Sequence, residues 1–256
     1  MKKIVIKNGS LLSPIDGFHQ EVKDIYLENG YIKQIATDIT VEDAEVIDAN
    51  GCLVTPGLID IHAHCFPSSR IGLEPDVLGI QRGATTILDA GSAGADNYEE
   101  FRKLFIEPAK TRVYTLLNVS KVGLSTLHEL DDLSRIDKNL IADLLNKYSD
   151  NIVGLKARAS ASVVGNNGLT PIAMACELAR DFNLPLTIHV GNYPPALSDV
   201  LNLMGKNDIC THAFHGKKGG IIEDGKIIDA AIEARNRGVK FDIGHGVASF
   251  SFRVFE

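Results

Sequence analysis

From residue 57 onward, short apolar runs alternate with longer segments whose apolar positions recur at helical spacing, the pattern of β-α units feeding a parallel sheet. The runs read as strands cover 58–64, 85–90, 112–119, 152–157, 185–190, 208–213 and 240–245. Their starts recur about every 23 to 40 residues, as a (β/α) barrel of about 250 residues requires. Helices are expected at 98–106, 140–148, 171–182 and 227–237, the third opened by Thr170 as cap with Pro171 in its first turn.

The first 55 residues follow a different pattern, with short β-favouring runs broken at Glu28-Asn29-Gly30 and Ala49-Asn50-Gly51. Asn-Gly between such flanks is a hairpin signal, so 1–55 reads as a small β domain and 56–256 as the barrel domain. A closed barrel of this type needs eight strands, and the pattern supplies seven before the chain ends. The expected fold is therefore α/β, a TIM-type barrel truncated after strand 7, carrying a small N-terminal β-sandwich portion.

Polar residues punctuate the ends of these runs. His62 and His64 close the first run, Lys156 lies in the fourth, and His189 and His212 stand at the ends of the fifth and sixth. Side chains two apart on a strand share a face, so His62 and His64 can chelate one cation. The C-terminal ends of barrel strands are where active sites assemble, and imidazoles gathered there suit a metal centre for hydrolysis. A lone His-x-His is weak evidence; the recurrence of histidine at strand ends is what raises it. Lys156 is the odd member, since an ammonium beside divalent cations is repelled. It must be neutral or modified, and three readings stand open: a carbamate, a Schiff-base lysine, or a lysine held by a buried carboxylate.

Arg158 should face the same way as Lys156 and is a candidate to hold an anionic substrate group, against an ion pair with a neighbouring loop. Around this set, His245 could meet substrate, His215 reads as a loop histidine, Asp60 could orient a ligand and Asp89 a loop. His19 and His128 read as solvated, the run 164–168 as a mobile rim loop without phosphate-loop spacing, and Lys217-Lys218 as a solvated basic loop. Cys65 follows His64, but strand alternation points it away from the pair.

Composition removes several classes. With 256 residues, 45% hydrophobic, the chain can bury a full core. A formal charge of −7 without a basic patch interleaved with aromatics offers no footprint for nucleic acid. No apolar run is long enough to span a membrane, and the N-terminus lacks the pattern of a signal peptide. Four scattered cysteines without a C-x-x-C pair read as reduced thiols of a cytoplasmic protein.

The segments 55–64, 89–92, 154–158, 211–216 and 242–246 together resemble the amidohydrolase superfamily, and within it the dihydroorotase-like metal-dependent deacetylases. The resemblance implies that His62 and His64 bind one metal, that His189 and His212 bind a second, and that Lys156, carboxylated by carbon dioxide, bridges them. Two Zn2+ per subunit are then expected, with hydrolysis of an acyl bond, amide or ester, by a hydroxide held between the metals. It also implies that the N-terminal strands belong to a composite β-sandwich.

Two departures bear on function. The family carries a proton-shuttling aspartate at the end of the eighth strand, to which no residue here corresponds. Typical dihydroorotases place a substrate-gripping arginine two residues after the second histidine, where this chain has Phe66. The expectation is thus a deacetylase-like hydrolase of small acylated molecules, with a homo-oligomer left open. Its alternatives are a cyclic amidase of the dihydroorotase or hydantoinase kind, and a noncatalytic dihydroorotase-like scaffold or inactive fragment.

Overall fold

A computed structural model describes residues 2–256, which cluster into two compact units, the first ending at Leu58 and the second spanning Ile59–Glu256. The smaller unit is a five-stranded sheet of β1 (Lys3–Ser13), β2 (Phe18–Glu28), β3 (Tyr31–Ala36), β4 (Glu45–Asp48) and β5 (Leu53–Val54), in the order β3-β2-β1-β4 with β5 also on β1. Asn29 and Gly30 both take positive φ, 51° and 83°, the geometry of a tight hairpin turn, and Glu28 pairs with Tyr31 across it. The second expected hairpin is not formed. β4 and β5 run in the same direction along one edge of β1, against Ile4–Lys7 and then Ser10–Leu11. Of Asn50 and Gly51 only the glycine has positive φ, so the pair jogs one edge strand instead of reversing it.

From Leu58 onward the chain forms β6 (Leu58–Ala63), β7 (Ala84–Asp89), β8 (Arg112–Asn118), β9 (Ile152–Ala159), β10 (Leu186–Val190), β11 (Ile209–Thr211), a two-stranded hairpin of β12 (Ile222–Glu223) and β13 (Lys226–Ile227), and β14 (Lys240–Phe241). Seven of these form one sheet in the order β14-β11-β10-β9-β8-β7-β6, and the pairings described from β7 to β14 are parallel. The sheet is strongly curled. In a flat sheet five strand-to-strand steps of about 4.8 Å would separate β6 from β11 by about 24 Å. Instead, the ring of His62 on β6 lies 4.7 Å from that of His212, just beyond β11. This is the curvature of a TIM-type barrel wall.

Helices pack outside this wall through apolar residues at helical spacing. Helix Lys138–Lys147 is capped by the Asp137 carboxylate, which accepts from the backbone of Asn139 and Leu140, and it buries Ile141 and Leu144. Helix Thr170–Asp181 buries Ile172, Ala175, Cys176 and Ala179 with Pro171 in its first turn. Its cap position is Leu169, not Thr170, and no side chain caps it.

The expected helix at 98–106 begins as α-helix Tyr98–Phe101 and continues as a π-helical turn, Arg102–Ile106. The last expected helix is shorter at its start, Asp229–Asn236, because Lys226–Ile227 pairs with Ile222–Glu223. The strand expected at 240–245 ends at Phe241; beyond it the backbone passes through Gly244 at φ 48° and leaves the sheet. Nor does 164–168 form an unstructured rim: Gly165–Asn167 is a helical turn, and the Asn167 amide donates to the carbonyls of Leu130 and Asp131.

Candidate metal centre

Strand register assembles the site. In the β9–β10 pairing Lys156 stands opposite Thr187 and Arg158 opposite His189, and in β10–β11 His189 stands opposite Thr211. Lys156, Arg158 and His189 therefore belong to one face at the C-terminal end of adjacent strands. His212 follows β11 directly, in the left-handed region at φ 62°, an uncommon backbone conformation for a residue with a side chain. β6 supplies His62, and His64 follows that strand.

Four imidazoles meet there. Ring centroids lie 5.7 Å apart for His62 and His64, 4.7 Å for His62 and His212, and 4.3 Å for His189 and His212. Lys156 is 1% exposed, and its charge acts on all four imidazoles. Burial, reinforced by this lysine, holds His64 down to about 3 and His212 to about 4, and drives His62 far below the usual histidine range. His189 is lowered by burial, by His212 and then by Lys156. Burial first and Arg158 second lower Lys156 to about 8, so its neutral amine is within reach of mildly alkaline solution.

Hydrogen bonds orient three of the rings through the same nitrogen. His64 Nδ1 lies 3.0 Å from Ser92 Oγ, His62 Nδ1 lies 2.8 Å from Thr211 Oγ1, and His212 Nδ1 contacts the Gly244 carbonyl oxygen. A carbonyl only accepts, so His212 carries its proton on Nδ1 and its lone pair on Nε2. Among the described residues no hydrogen bond engages Nε2 of any of the four. Neutral imidazoles with one nitrogen tethered and the other free are suited to binding a divalent cation. No three His, Cys, Asp or Glu side chains among the described residues gather around a single point at ligand spacing. The rings adjoin in the order His64, His62, His212, His189, and the charge of Lys156 reaches each of them.

Two glycines make this packing possible. A Cβ on Gly91, φ 81°, would lie 2.5 Å from Cβ and Cγ of Lys156. One on Gly244 would lie 2.5 Å from Thr211 Oγ1 and 2.6 Å from His212 Nδ1. The buried Asp89 carboxylate ties the loops of the site together, accepting from the backbone of Cys65 at 2.8 Å and of Ser92 at 2.7 Å. Desolvation raises the affinity of this carboxyl for protons above the ordinary aspartate value.

The other expected participants have partners of their own or stand apart from the rings. Arg158 Nε stands 3.0 Å from Oε1 of Glu129, a residue with 0% exposure. Neither Glu129 oxygen is placed to accept a hydrogen bond, and Nη2 of Arg158 donates to the Leu127 carbonyl. The ion pair foreseen as the alternative for Arg158 is thus formed, while its Nη1 engages no described residue.

Asp60 is exposed and accepts from the His62 backbone, so it orients no imidazole. His245 is exposed and packs on Phe250, His215 is buried, and Lys217 and Lys218 are exposed. His19 is exposed, as is His128, whose Nδ1 meets the Ser162 carbonyl. Cys65 and Phe66 are both buried in the core, Phe66 with its ring 4.8 Å from Phe101 and 5.8 Å from Phe105. Position 66 therefore faces away from the imidazoles.

Sequence reasoning did not assign roles to Ser92, Thr211, Asp242 or Glu129. Thr211 bonds His62 across 149 positions, a separation that no local spacing rule addresses. Asp242 and Gly244 were visible only as parts of a matching segment.

Known proteins resemble this chain along most of its length. Residues 53–242 match the family model described as amidohydrolase family. A protein of Enterococcus faecalis named deacetylase is 40% identical over 99% of this chain and 68% of its own length. One from Syntrophotalea carbinolica named dihydroorotase is 53% identical over 73% of this chain and 42% of its own length. A crystal structure described as a dihydroorotase superposes with a TM-score of 0.93 at 34% identity, over 99% of this chain and 68% of the other. The chain thus spans about two thirds or less of these proteins. With the matched segment containing the curled sheet and its four histidines, the chain belongs to the amidohydrolase family.

Proposed function

We propose that this protein is a metal-dependent hydrolase that removes acyl groups, acetyl in the first instance, from small molecules. The observation that carries the reading is the cluster of four neutral imidazoles with Nε2 unengaged, gathered around a fully buried lysine. Members of this family are generally metal-dependent, and the donor set fits zinc in its chemistry. His62 and His64 would hold one Zn2+ and His189 with His212 another. Lys156, as the carbamate formed by its neutral amine with carbon dioxide, would be shared between them. When bound, such cations acidify water toward a pKa of about 7 and polarise a carbonyl.

The protein's own contribution is placement. Ser92, Thr211 and the Gly244 carbonyl hold three rings by Nδ1, so little reorganisation is needed to present Nε2. Burial keeps the imidazoles neutral. Arg158, on the face of His189 and with Nη1 unengaged, is the group we assign to an anionic portion of the substrate. The E. faecalis relative's name supports deacetylation, and four free cysteines are consistent with a reducing, cytoplasmic setting.

A cyclic amidase is the second reading, favoured by the dihydroorotase superposition. The test is to load the protein with zinc in bicarbonate, measure bound metal, and assay N-acetyl amino acids, O-acetyl hydroxy acids, dihydroorotate and hydantoins. Zinc bound by the wild type, one equivalent of it lost in His189→Ala, and acetate release from the acetyl compounds are expected. Faster turnover of the cyclic amides would transfer the assignment to the second reading. A protein that neither binds zinc nor hydrolyses any of these would be a noncatalytic scaffold or an inactive fragment.

A further inference from the structure

The segment 242–244, just past the last strand, meets the His212 imidazole directly and the His62 imidazole through Thr211. Asp242 continues the β11–β14 register, in which Cys210 pairs with Phe241, so it sits beside Thr211. Its backbone is held on both sides: Asp242 N donates to the Cys210 carbonyl at 3.1 Å, and Ala213 N donates to the Asp242 carbonyl at 3.3 Å. From this anchored position Oδ1 of Asp242 accepts the hydroxyl proton of Thr211. Thr211 is itself 0% exposed, and its oxygen lies 2.8 Å from His62 Nδ1.

A threonine hydroxyl has one proton. Once that proton is given to Asp242, the oxygen can only accept from His62, which must then carry its hydrogen on Nδ1 and its lone pair on Nε2. Two residues on, the Gly244 carbonyl imposes the same tautomer on His212. The close approach of Gly244 to both Thr211 and His212 keeps the segment against the pair.

We propose that Thr211 and Asp242 are positioning residues that fix the tautomer of His62, so that the Nε2 lone pair is presented before any ligand arrives. The role of that lone pair in holding a cation rests on the metal-hydrolase reading; the tautomer itself does not. Asp242 reaches the His62 ring through Thr211, since it touches neither imidazole by a hydrogen bond among the described residues, while its charge also acts on Lys156.

The experiment uses the full chain. Histidine 15N NMR of the metal-free wild type should show His62 as the Nδ1–H tautomer. In Thr211→Val the population should redistribute toward Nε2–H, and zinc affinity at one site, measured by chelator competition, should fall 10- to 100-fold. Thr211→Ser restores the hydroxyl and should return both readouts to within threefold of wild type. Adding Asp242→Ala to Thr211→Val should leave the His62 tautomer population where Thr211→Val alone puts it.

The proposal is overturned if Thr211→Val leaves the tautomer unchanged, if Thr211→Ser fails to restore it, or if Asp242→Ala shifts the tautomer further in the valine background. Should Thr211→Val fail to fold, the wild type, Thr211→Ser and Asp242→Ala spectra decide the question, with Asp242→Ala expected to release the fixed tautomer. A wild type that binds no zinc would remove the hydrolase reading while leaving the tautomer result standing.

Discussion

Replacing Gly91 with alanine tests the claim that the site is built around a buried lysine pressed against a loop. The added methyl incurs two penalties. At φ 81° alanine must occupy left-handed space, a cost of about 1–2 kcal/mol. Its Cβ would also lie 2.5 Å from Cβ and Cγ of Lys156, and overpacking of this kind typically costs about 1–3 kcal/mol. Neither side can withdraw easily. Lys156 lies within β9, bridged to both β8 and β10, while the Gly91 carbonyl accepts from the Asn118 amide at 3.0 Å.

The sum, about 2–5 kcal/mol, is a large part of the roughly 5–15 kcal/mol that stabilises a typical domain. For a unit of this size it corresponds to a fall of about 4–20 °C in Tm. Thermal and urea unfolding of wild type and Gly91→Ala, followed by far-UV circular dichroism without added metal, measure it directly. A loss below about 0.5 kcal/mol would refute the close approach of Gly91 and Lys156 and, with it, the packing of the lysine in the centre.

Two further outcomes follow from burial. Phe66→Arg should abolish or severely reduce folding, because an unpaired guanidinium would replace a ring with 0% exposure packed on Phe101; soluble, cooperatively unfolding variant with new affinity for carboxylates would instead place position 66 in the cleft. In the metal-free protein, His212 is lowered from 6.5 to about 4, so the unfolded chain binds more protons between those values and acid removes stability as pH falls from about 6.5 toward 4, about 3 kcal/mol at most from this residue. Asp89, Glu129 and Asp242 are raised by burial and act with the opposite sign, so the check is the difference between wild type and His212→Gln in urea midpoints from pH 8 to 4.5; a difference that stays flat or widens with acid contradicts the assignment.

Much of the architecture is legible without coordinates because it is local. Alternation of apolar positions marks a strand, helical recurrence marks a helix, and both depend on neighbours within a few residues. The seven strand-like runs, the Asn29-Gly30 turn and the placement of His62, His189 and His212 at strand ends are of this kind. Tertiary structure decided what depends on the curling of the sheet and the packing around it: which imidazoles touch, that Thr211 meets His62, that Arg158 pairs with a buried Glu129, and that Phe66 turns into the core. It also decided that Asn50-Gly51 jogs an edge strand and that the segment after Phe241 leaves the sheet. The reason is common to all of them: hydrogen-bond partners and packing neighbours are set by distance in space, and residues separated by many strands carry no mutual spacing that a periodic rule could read.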